Sequence, residues 1–428
     1  MASKIDSFLV TFALVAATLN AEDGCTLYEV AAKNLEEREI FSELVNKLNL
    51  DVWSPAMPER SGRVLVLKDQ RATFENEFTA AGIQYKVVVE RMEELIELER
   101  RKLSLAAKIT TTSNRIIPID RMHSYDEVND ILDNLAKDYE SVDVFSQGTT
   151  LEGRPIKYIR ISSTKFMDHE KPVVFIQALI QAREWVSLPV ALHAISKLVM
   201  DVCDEDQDLL DDIDWIILPI ANPDGYEYSR TVSRLWTKNR RVNDHECVGV
   251  NINRNFNIRH SGPGSSNNPC SDNYHGSEAE SEIETRAIRD ILTLHQGRIK
   301  LFLNLQSFGS HVLFGYGNVS LPPNGLILHF LAVQMAASIQ NYKDRNYTVG
   351  NIGSILGEQP GIATDFATEE RYVGYSYTIN IASYGNDGNI DNNNGHLVED
   401  LYLEEAAEEV WEAIKYSARF VRDNDFNI

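Results

Sequence analysis

The residues of this chain best suited to chemistry stand in a short turn after an apolar run. Residues 173–180 are almost wholly apolar and predict a buried strand, whereas the apolar run 185–199 has the length of a helix. Between the two runs stand Gln181, Arg183 and Glu184. Open α/β proteins place their sites where a sheet strand ends and the chain turns. We therefore expect a functional site at this turn.

The turn and the motifs that follow it resemble the zinc carboxypeptidases, the family of carboxypeptidases A and B. In that family the turn reads His-x-x-Glu and both residues bind zinc, whereas here Gln181 stands at the His position and Glu184 is retained. The resemblance covers nearly all of residues 110–428, and the motifs come in the family's order. They are the segments 148–156, 222–225, 247–256, 274–276, 281–282 and 375–378.

This resemblance implies a defined chemistry, the hydrolysis of a peptide at its carboxyl terminus. Three protein ligands hold zinc and leave a fourth position for water, and the metal lowers the pKa of that water. A glutamate accepts the water proton, and an arginine stabilises the oxyanion. An Asn–Arg pair binds the terminal carboxylate, because a guanidinium fork fits a carboxylate.

The metal positions implied by the resemblance hold weak ligands in this chain. Gln181 and Gln306 stand where the family has its two histidines, and Glu184 is the remaining ligand. A glutamine amide oxygen is a neutral and weak zinc ligand compared with imidazole. Asn251 replaces the aspartate that orients the first histidine, a role that disappears with the imidazole itself. We therefore expect no zinc cofactor.

The catalytic positions are changed as well. Asn380 stands at the position of the general base, Thr237 at that of the oxyanion arginine, and Gly357 at that of a mobile tyrosine near the substrate. An amide at 380 cannot accept the proton of water. A shifted ligand set that uses His275 and His311 is the alternative, although the family's geometry does not place these histidines at the metal.

Other positions of the family's site are retained. Asn253 and Arg254 match its carboxylate clamp, and Arg183 matches its substrate-side arginine. The clamp either still binds a peptide C-terminus or another anion, or Arg254 belongs to a buried ion pair left from ancestry. The resemblance also implies a disulfide between Cys247 and Cys270, which a secreted protein permits.

Length and charge restrict the domain number and the binding partners of the protein. The chain has 428 residues, more than one ordinary domain of about 100–200 residues. Residues 1–21 contain Lys4, the apolar stretch 8–19 and Ala21, which together predict a signal peptide and hence secretion. The alternative is a buried N-terminal helix. No other segment predicts a membrane span, and the net charge of −23 argues against nucleic acid.

Residues 22–102 predict a small α+β unit of the ferredoxin-like kind, which resembles the pro-domain of carboxypeptidase zymogens. The basic triplet 100–102 ends its last helix. The triplet either stabilises the helix dipole or is cut by an activating trypsin-like protease, and the two roles are compatible. Residues 103–117 are the expected connecting segment. The predicted strands are 26–32, 63–67 and 84–89, and the predicted helices are 35–48, 72–81 and one around 92–96.

Residues 118–428 alternate strand-like and helix-like runs. This order predicts an α/β domain, a twisted mixed sheet with helices on both faces, and the resemblance implies a sheet of the eight-stranded type. The polar tract 386–395 predicts a surface loop. The predicted strands are 155–162, 173–180, 215–220, 300–305 and 376–381. The predicted helices are 125–139, 184–199, 281–294, 326–339 and 401–421.

The sequence thus predicts a secreted carboxypeptidase A/B-like pseudoenzyme that binds peptide or protein C-termini. The first alternative is an active zinc metallocarboxypeptidase, which the metal content of the purified protein would identify. The second is a secreted structural or partner-binding protein with a vestigial pocket, which would not distinguish a free from an amidated peptide C-terminus.

Overall fold

The structure is a computed structural model that describes residues 24–58, 60–106, 117–243, 247–382, 395–397 and 402–424. The predicted signal peptide, most of the connecting segment and nearly all of the tract 386–395 lie outside these residues.

The pro-domain is built on a four-stranded antiparallel sheet in the order β2-β3-β1-β4. Two helices cover it, and their Phe41, Phe74 and Phe78 are buried against the sheet. This confirms the small α+β unit, with an additional short strand, β2, that the sequence did not predict. The elements are β1 Thr26–Ala31, α1 Leu35–Leu48, β2 Asp51–Ser54, β3 Gly62–Val66, α2 Arg71–Ala80 and β4 Gln84–Val89.

A third helix, α3 (Met92–Ala106), follows the pro-domain sheet. It continues past Lys102 into the predicted connecting segment. The side chains of Arg100 and Arg101 are 56% and 73% exposed. Two residues of the basic triplet are therefore exposed, and Lys102 is half-buried.

The large domain has an eight-stranded mixed sheet in the order β11-β10-β12-β9-β7-β8-β6-β5, as expected. Four central strands, β12, β9, β7 and β8, run parallel to one another. The short strand β10 and the peripheral β6 and β5 pair antiparallel. The strands are β5 Val142–Thr149, β6 Pro155–Ile161, β7 Val173–Gln177, β8 Asp214–Leu218, β9 Ile299–Ser307, β10 His311–Phe314, β11 Thr348–Asn351 and β12 Tyr375–Ile381.

Helices pack on both faces of this sheet because the central strands are apolar on both sides. In β7, Val174 and Ile176 join one apolar cluster, and Val173 and Phe175 join the cluster on the opposite face. The described helices are α4 Tyr125–Asp138, α5 Ser187–Val199, α6 Asp208–Asp211, α7 Pro223–Thr231, α8 Ile283–Leu294, α9 Gly325–Lys343, α10 Ile352–Leu356, α11 Ala363–Arg371 and α12 Leu403–Asp423.

The turn after β7 is longer than the sequence predicted. The strand ends at Gln177 instead of 180, and the helix begins at Ser187 instead of 184. The Ser187 hydroxyl accepts from the Leu179 N–H at 3.1 Å and donates to the Glu184 carbonyl at 2.7 Å. This side chain closes the irregular segment that holds Gln181 and Glu184.

The pro-domain and the large domain share an apolar cluster. Trp53 and Met92 of the pro-domain side pack with Leu235 and Phe308 of the large domain. The Trp53 and Phe308 rings meet edge to face, with centroids 5.9 Å apart. A Cβ at Gly395 would overlap the Trp53 ring, so the glycine permits this close approach. The two domains therefore pack as one body along this contact.

No helix in the described ranges combines the length and the apolar character needed to cross a membrane.

Candidate functional site

The turn after β7 presents Gln181 and Glu184 on the side of the sheet where the parallel strands end. Gln181 Oε1 accepts from Thr237 Oγ1 at 3.2 Å, and the Ala182 N–H donates to the Thr237 carbonyl at 3.0 Å. The residue at the oxyanion position thus bonds the residue at the first metal position. Both side chains are neutral.

Glu184 is buried, and its carboxyl group accepts from the backbone N–H of Ser307. Burial raises its pKa well above the ordinary value, although Arg183 and the Ser307 N–H act in the opposite direction. Burial thus favours the neutral acid over a carboxylate at this position.

Gln306 and Asn380 are register partners on the neighbouring parallel strands β9 and β12. Both side chains are buried. Gln306 Nε2, Asn380 Oδ1 and Glu184 Oε2 have no hydrogen-bond partner among the described residues. The structure therefore brings the second metal position and the general-base position together, and it leaves a polar atom of each unused.

These residues do not fit a zinc ion. Two of the three metal positions offer amides, and the third is a buried acid whose pKa is raised. Within the ranges that the structure describes, no group of three His, Cys, Asp or Glu side chains could hold a metal ion. Zinc favours imidazole, thiolate and carboxylate ligands, so we derive no chemical step through a metal here.

The two histidines of the alternative ligand set are engaged elsewhere. His311 pairs with Asn380 across β10 and β12, but its Nε2 lies 3.3 Å from Arg60 Nη1 of the pro-domain. Burial, and then Arg60, lower the pKa of His311 to about 3. His275 Nδ1 lies 2.9 Å from the Gly276 carbonyl oxygen.

The side chain of Asn251 bonds to a neighbouring segment instead of to Gln181. Its Nδ2 donates to the backbone carbonyl of Asp272 at 2.9 Å. Its Oδ1 has no hydrogen-bond partner in the described parts of the chain. The amide is thus held by the neighbouring segment.

Arg254 is a buried cation in the short 3-10 turn Ile252–Arg254. Its guanidinium donates to the carbonyls of Asn253 (2.8 Å) and Gly264 (3.3 Å), and to Gln359 Oε1. No carboxylate of the described residues forms an ion pair with it, and burial lowers its pKa to about 10. A buried charge is costly without a counter-ion, so this guanidinium favours an anionic ligand.

Asn253 is fixed beside it, because its Oδ1 accepts from the backbone N–H of Ala363 at 3.0 Å. The acceptor oxygen of this amide is thereby used for structure. Its amide nitrogen is the group that would donate to an anion beside Arg254.

Arg183 is the third predicted substrate-binding residue. It forms a bidentate salt bridge with Asp51 of the pro-domain. The Nη1–Oδ2 and Nη2–Oδ1 distances are 2.6 and 2.9 Å. The Trp53 indole N–H also donates to Asp51 Oδ2, at 3.1 Å. The pro-domain therefore supplies the anion for this arginine. Asp51 was not predicted to contact the site, because it lies in strand β2, which the sequence analysis did not identify.

Two further contacts between the domains were missed by sequence reasoning. Arg234 binds Glu99 of α3 through Nε–Oε2 (2.6 Å) and Nη2–Oε1 (3.1 Å), and both side chains are buried. Arg60 Nη2 donates to the Ile355 carbonyl at 2.6 Å. Ile355 lies in α10, which ends at Gly357 with φ +77°. The pro-domain thus contacts the helix that precedes Gly357.

The disulfide between Cys247 and Cys270 is present, as the resemblance implied. It closes a loop that contains the turn Ile252–Arg254. Cys203 is exposed, and Cys25 is buried in the apolar cluster between the domains.

Comparisons with known proteins agree with the fold. The family profile described as zinc carboxypeptidase matches residues 128–413, and the profile described as carboxypeptidase activation peptide matches residues 28–99. Carboxypeptidase B of Helicoverpa zea is 38% identical over 432 aligned residues, which cover 97% of this chain and 99% of that protein. Carboxypeptidase A2 of Mus musculus is 30% identical and covers 94% of this chain and 95% of its own length.

A solved structure gives the same result. The crystal structure of carboxypeptidase A from Helicoverpa armigera superposes with a TM-score of 0.90 at 42% identity, covering 94% of this chain and 99% of that chain. This chain therefore belongs to the zinc carboxypeptidase family, and it has that family's activation peptide as its N-terminal domain.

Proposed function

We propose that this protein is a secreted, catalytically inactive carboxypeptidase-like protein that binds the free C-terminus of a peptide or protein. The observation that supports binding is Arg254, a buried guanidinium beside Asn253 with no carboxylate partner in the described residues. A guanidinium fork binds a carboxylate through two parallel hydrogen bonds. The retained clamp is therefore suited to a terminal carboxylate.

The proposed loss of catalysis follows from the groups that replace the catalytic ones. Asn380 offers an amide where a base must accept a proton from water. Thr237 is neutral where a cation must stabilise the oxyanion, and its hydroxyl is bonded to Gln181. The remaining acid, Glu184, is buried with a raised pKa. Binding without turnover is the expected outcome.

The rival function is that of an active zinc carboxypeptidase, in keeping with the names of the relatives. The donor groups at the metal positions oppose it. The other rival is a vestigial pocket in a protein that acts only through its surface. The active enzyme would differ from our proposal in turning over its substrate. The vestigial pocket would differ in failing to bind free carboxylates selectively.

Residues of the pro-domain contact the proposed binding site and would restrict access to it. Asp51 neutralises Arg183, and Arg60 reaches the segment that ends at Gly357. A protease that cuts near the basic triplet 100–102 would open the site. The activating partner would be a trypsin-like protease, and the protein would bind its peptide ligand afterwards.

The test is calorimetry with an N-acyl dipeptide in free-acid and C-terminally amidated forms. The protein is the full-length chain after limited trypsin treatment, with the fragments left together in solution. We expect weak binding of the acid, on the order of micromolar to millimolar, and much weaker binding of the amide. Equal affinity for both, or no binding at millimolar concentration, would favour the vestigial pocket.

Matched variants test whether Arg254 is the residue that binds the terminal carboxylate. Arg254→Met removes the charge and keeps the length of the side chain, so it should abolish the preference for the acid. Arg422→Met on α12, where Arg422 pairs with Asp208, should leave that preference unchanged. Chromatography of the peptide after incubation with added zinc checks turnover, and release of the C-terminal residue above a heat-killed control would support the active enzyme instead.

A further inference from the structure

Three buried polar atoms at the centre of the site are unused. They are Gln306 Nε2, Asn380 Oδ1 and Glu184 Oε2, and none has a hydrogen-bond partner among the described residues. Their side chains are 6%, 5% and 4% exposed, respectively. Leaving a buried donor or acceptor unpaired destabilises a protein. A ligand that forms hydrogen bonds with such atoms removes this cost.

The three atoms belong to neighbouring elements. Gln306 and Asn380 are directly paired in the parallel register of β9 and β12, so their side chains leave the sheet on the same face. Ser307, the next residue of β9, donates its backbone N–H to the carboxyl group of Glu184. The unpaired groups therefore surround one small region at the ends of the strands.

The chemistry of the two amides defines what they can bind. Gln306 presents an unused N–H donor and Asn380 an unused carbonyl acceptor, and both side chains are uncharged. A phosphate or carboxylate would match the donor but repel the acceptor. A peptide group that lies between the two side chains matches both, because its carbonyl acceptor and its N–H donor point to opposite sides.

We infer that Gln306 and Asn380 bind the last peptide group of the ligand as an intact amide. Gln306 Nε2 donates to the carbonyl oxygen of that group, and the N–H of that group donates to Asn380 Oδ1. This inference rests on the proposed function, because the clamp of Asn253 and Arg254 holds the carboxylate that follows this peptide group. The former catalytic centre thereby becomes a recognition site for the bond that the family hydrolyses.

The inference predicts discrimination between an amide and an ester. In a depsipeptide an oxygen replaces the peptide N–H, so the ligand loses a donor and Asn380 Oδ1 stays unpaired. The site should therefore bind the depsipeptide about 10-fold more weakly than the matching peptide. A site that has only the carboxylate clamp would bind the peptide acid and the depsipeptide acid equally.

The experiment titrates the trypsin-treated full-length chain with three probes. They are an N-acyl dipeptide acid, the depsipeptide acid of the same sequence, and the dipeptide with an amidated C-terminus. We expect the peptide acid to bind best, with both analogues weaker. Chromatography of each probe after the titration should recover it intact.

Variants at the two amides separate their roles. Asn380→Leu removes the acceptor and should bring the peptide and the depsipeptide to the same affinity. Gln306→Met should weaken both acids by a similar factor, because both keep the carbonyl oxygen. Asn380→Asp keeps an acceptor of the same shape and should keep the preference for the peptide, so it serves if Asn380→Leu fails to fold.

The outcomes distinguish this inference from the proposed function. Equal affinity of the wild-type protein for peptide and depsipeptide acids, both above the amidated probe, would overturn the inference and leave the proposed function standing. Equal affinity for acid and amidated probes, or no binding at all, would overturn both. A preference for the peptide that survives Asn380→Leu would also overturn the inference.

Discussion

Glu99 and Arg234 form a buried two-pronged ion pair that joins α3 to the large domain. Their side chains are 4% and 3% exposed. Arg234 also donates to the Arg183 carbonyl at 2.9 Å, and its guanidinium lies over the Trp185 ring, 3.7 Å from the centroid. Glu99 thus neutralises Arg234, and Arg234 in turn holds the backbone of the turn at the candidate site. Arg183 in that turn is itself neutralised by Asp51.

We therefore expect Glu99→Gln to destabilise the protein by about 3–5 kcal/mol, since it leaves a buried guanidinium without its charge partner. Urea unfolding of the full-length chain at neutral pH measures this change. Glu97→Gln on the same helix is the control. It removes an exposed pair with Arg101 and should leave the free energy of unfolding nearly unchanged. Equal effects of the two variants would contradict the structural role of the buried pair.

We expect the wild-type protein to bind zinc weakly, and the double variant Gln181→His/Gln306→His to bind it at least about 100-fold more tightly. The variant restores two imidazoles beside Glu184, whereas the wild type offers amides at both positions. Equilibrium dialysis against a zinc buffer at neutral pH gives both affinities. Tight, stoichiometric zinc binding by the untagged wild type that disappears in Glu184→Ala would show that the metal-free interpretation is wrong.

Limited trypsin treatment should cut the full-length chain after Arg100, Arg101 or Lys102 and yield a fragment of the size of a small domain. Arg100 and Arg101 are exposed and face solvent on α3. Mass spectrometry of the fragments identifies the cut. A variant with glutamine at all three positions should resist it. Cleavage at other sites while this segment stays intact would exclude it as the activation site.

Acid should destabilise the protein through His311. Burial beside Arg60 holds the pKa of His311 at about 3 in the folded protein, whereas an unfolded histidine has a pKa of about 6.5. Between these values only the unfolded chain binds the proton. Stability from the neutral imidazole is therefore complete above about pH 6.5 and is lost as the pH falls toward 3.

The measurable effect is the difference in unfolding free energy between about pH 7 and about pH 4.5. His311→Gln should reduce the acid-induced loss by about 2–3 kcal/mol relative to the wild type. His329→Gln, which removes an exposed histidine of α9, should not reduce it. The same acid sensitivity in the wild type and in His311→Gln would contradict a buried neutral imidazole at this position.

The sequence predicted much of the fold because the central strands β7, β8, β9 and β12 are buried on both faces. Such strands are nearly continuous apolar runs, which a sequence shows clearly. The short strands β2, β10 and β11 and the partly exposed β5 were missed. Their patterns are weak because pairing within the sheet, and not their own composition, makes them strands.

The positions of the site could be inferred from motifs, whereas their contacts could not. Gln181, Gln306 and Asn380 were assigned to the site through the resemblance, and the structure places the last two side by side on neighbouring strands. The pairing of Arg183 with Asp51 could not be predicted, because the two residues are far apart in sequence and in different domains. The same holds for Glu99 and Arg234. Charge complementarity between distant segments leaves no periodic signal.

The hydrogen bond between Thr237 and Gln181 has a consequence for the evolutionary history of the site. A histidine returning at 181 alone would break this bond and would find no carboxylate at Asn251 to orient it. A glutamate returning at 380 alone would lie beside an amide at 306 with no activated water to deprotonate. Neither single reversal thus restores hydrolysis by itself, and the reversal at 181 also breaks an existing contact. The proposed loss of hydrolysis would therefore leave selection no stepwise route back to it.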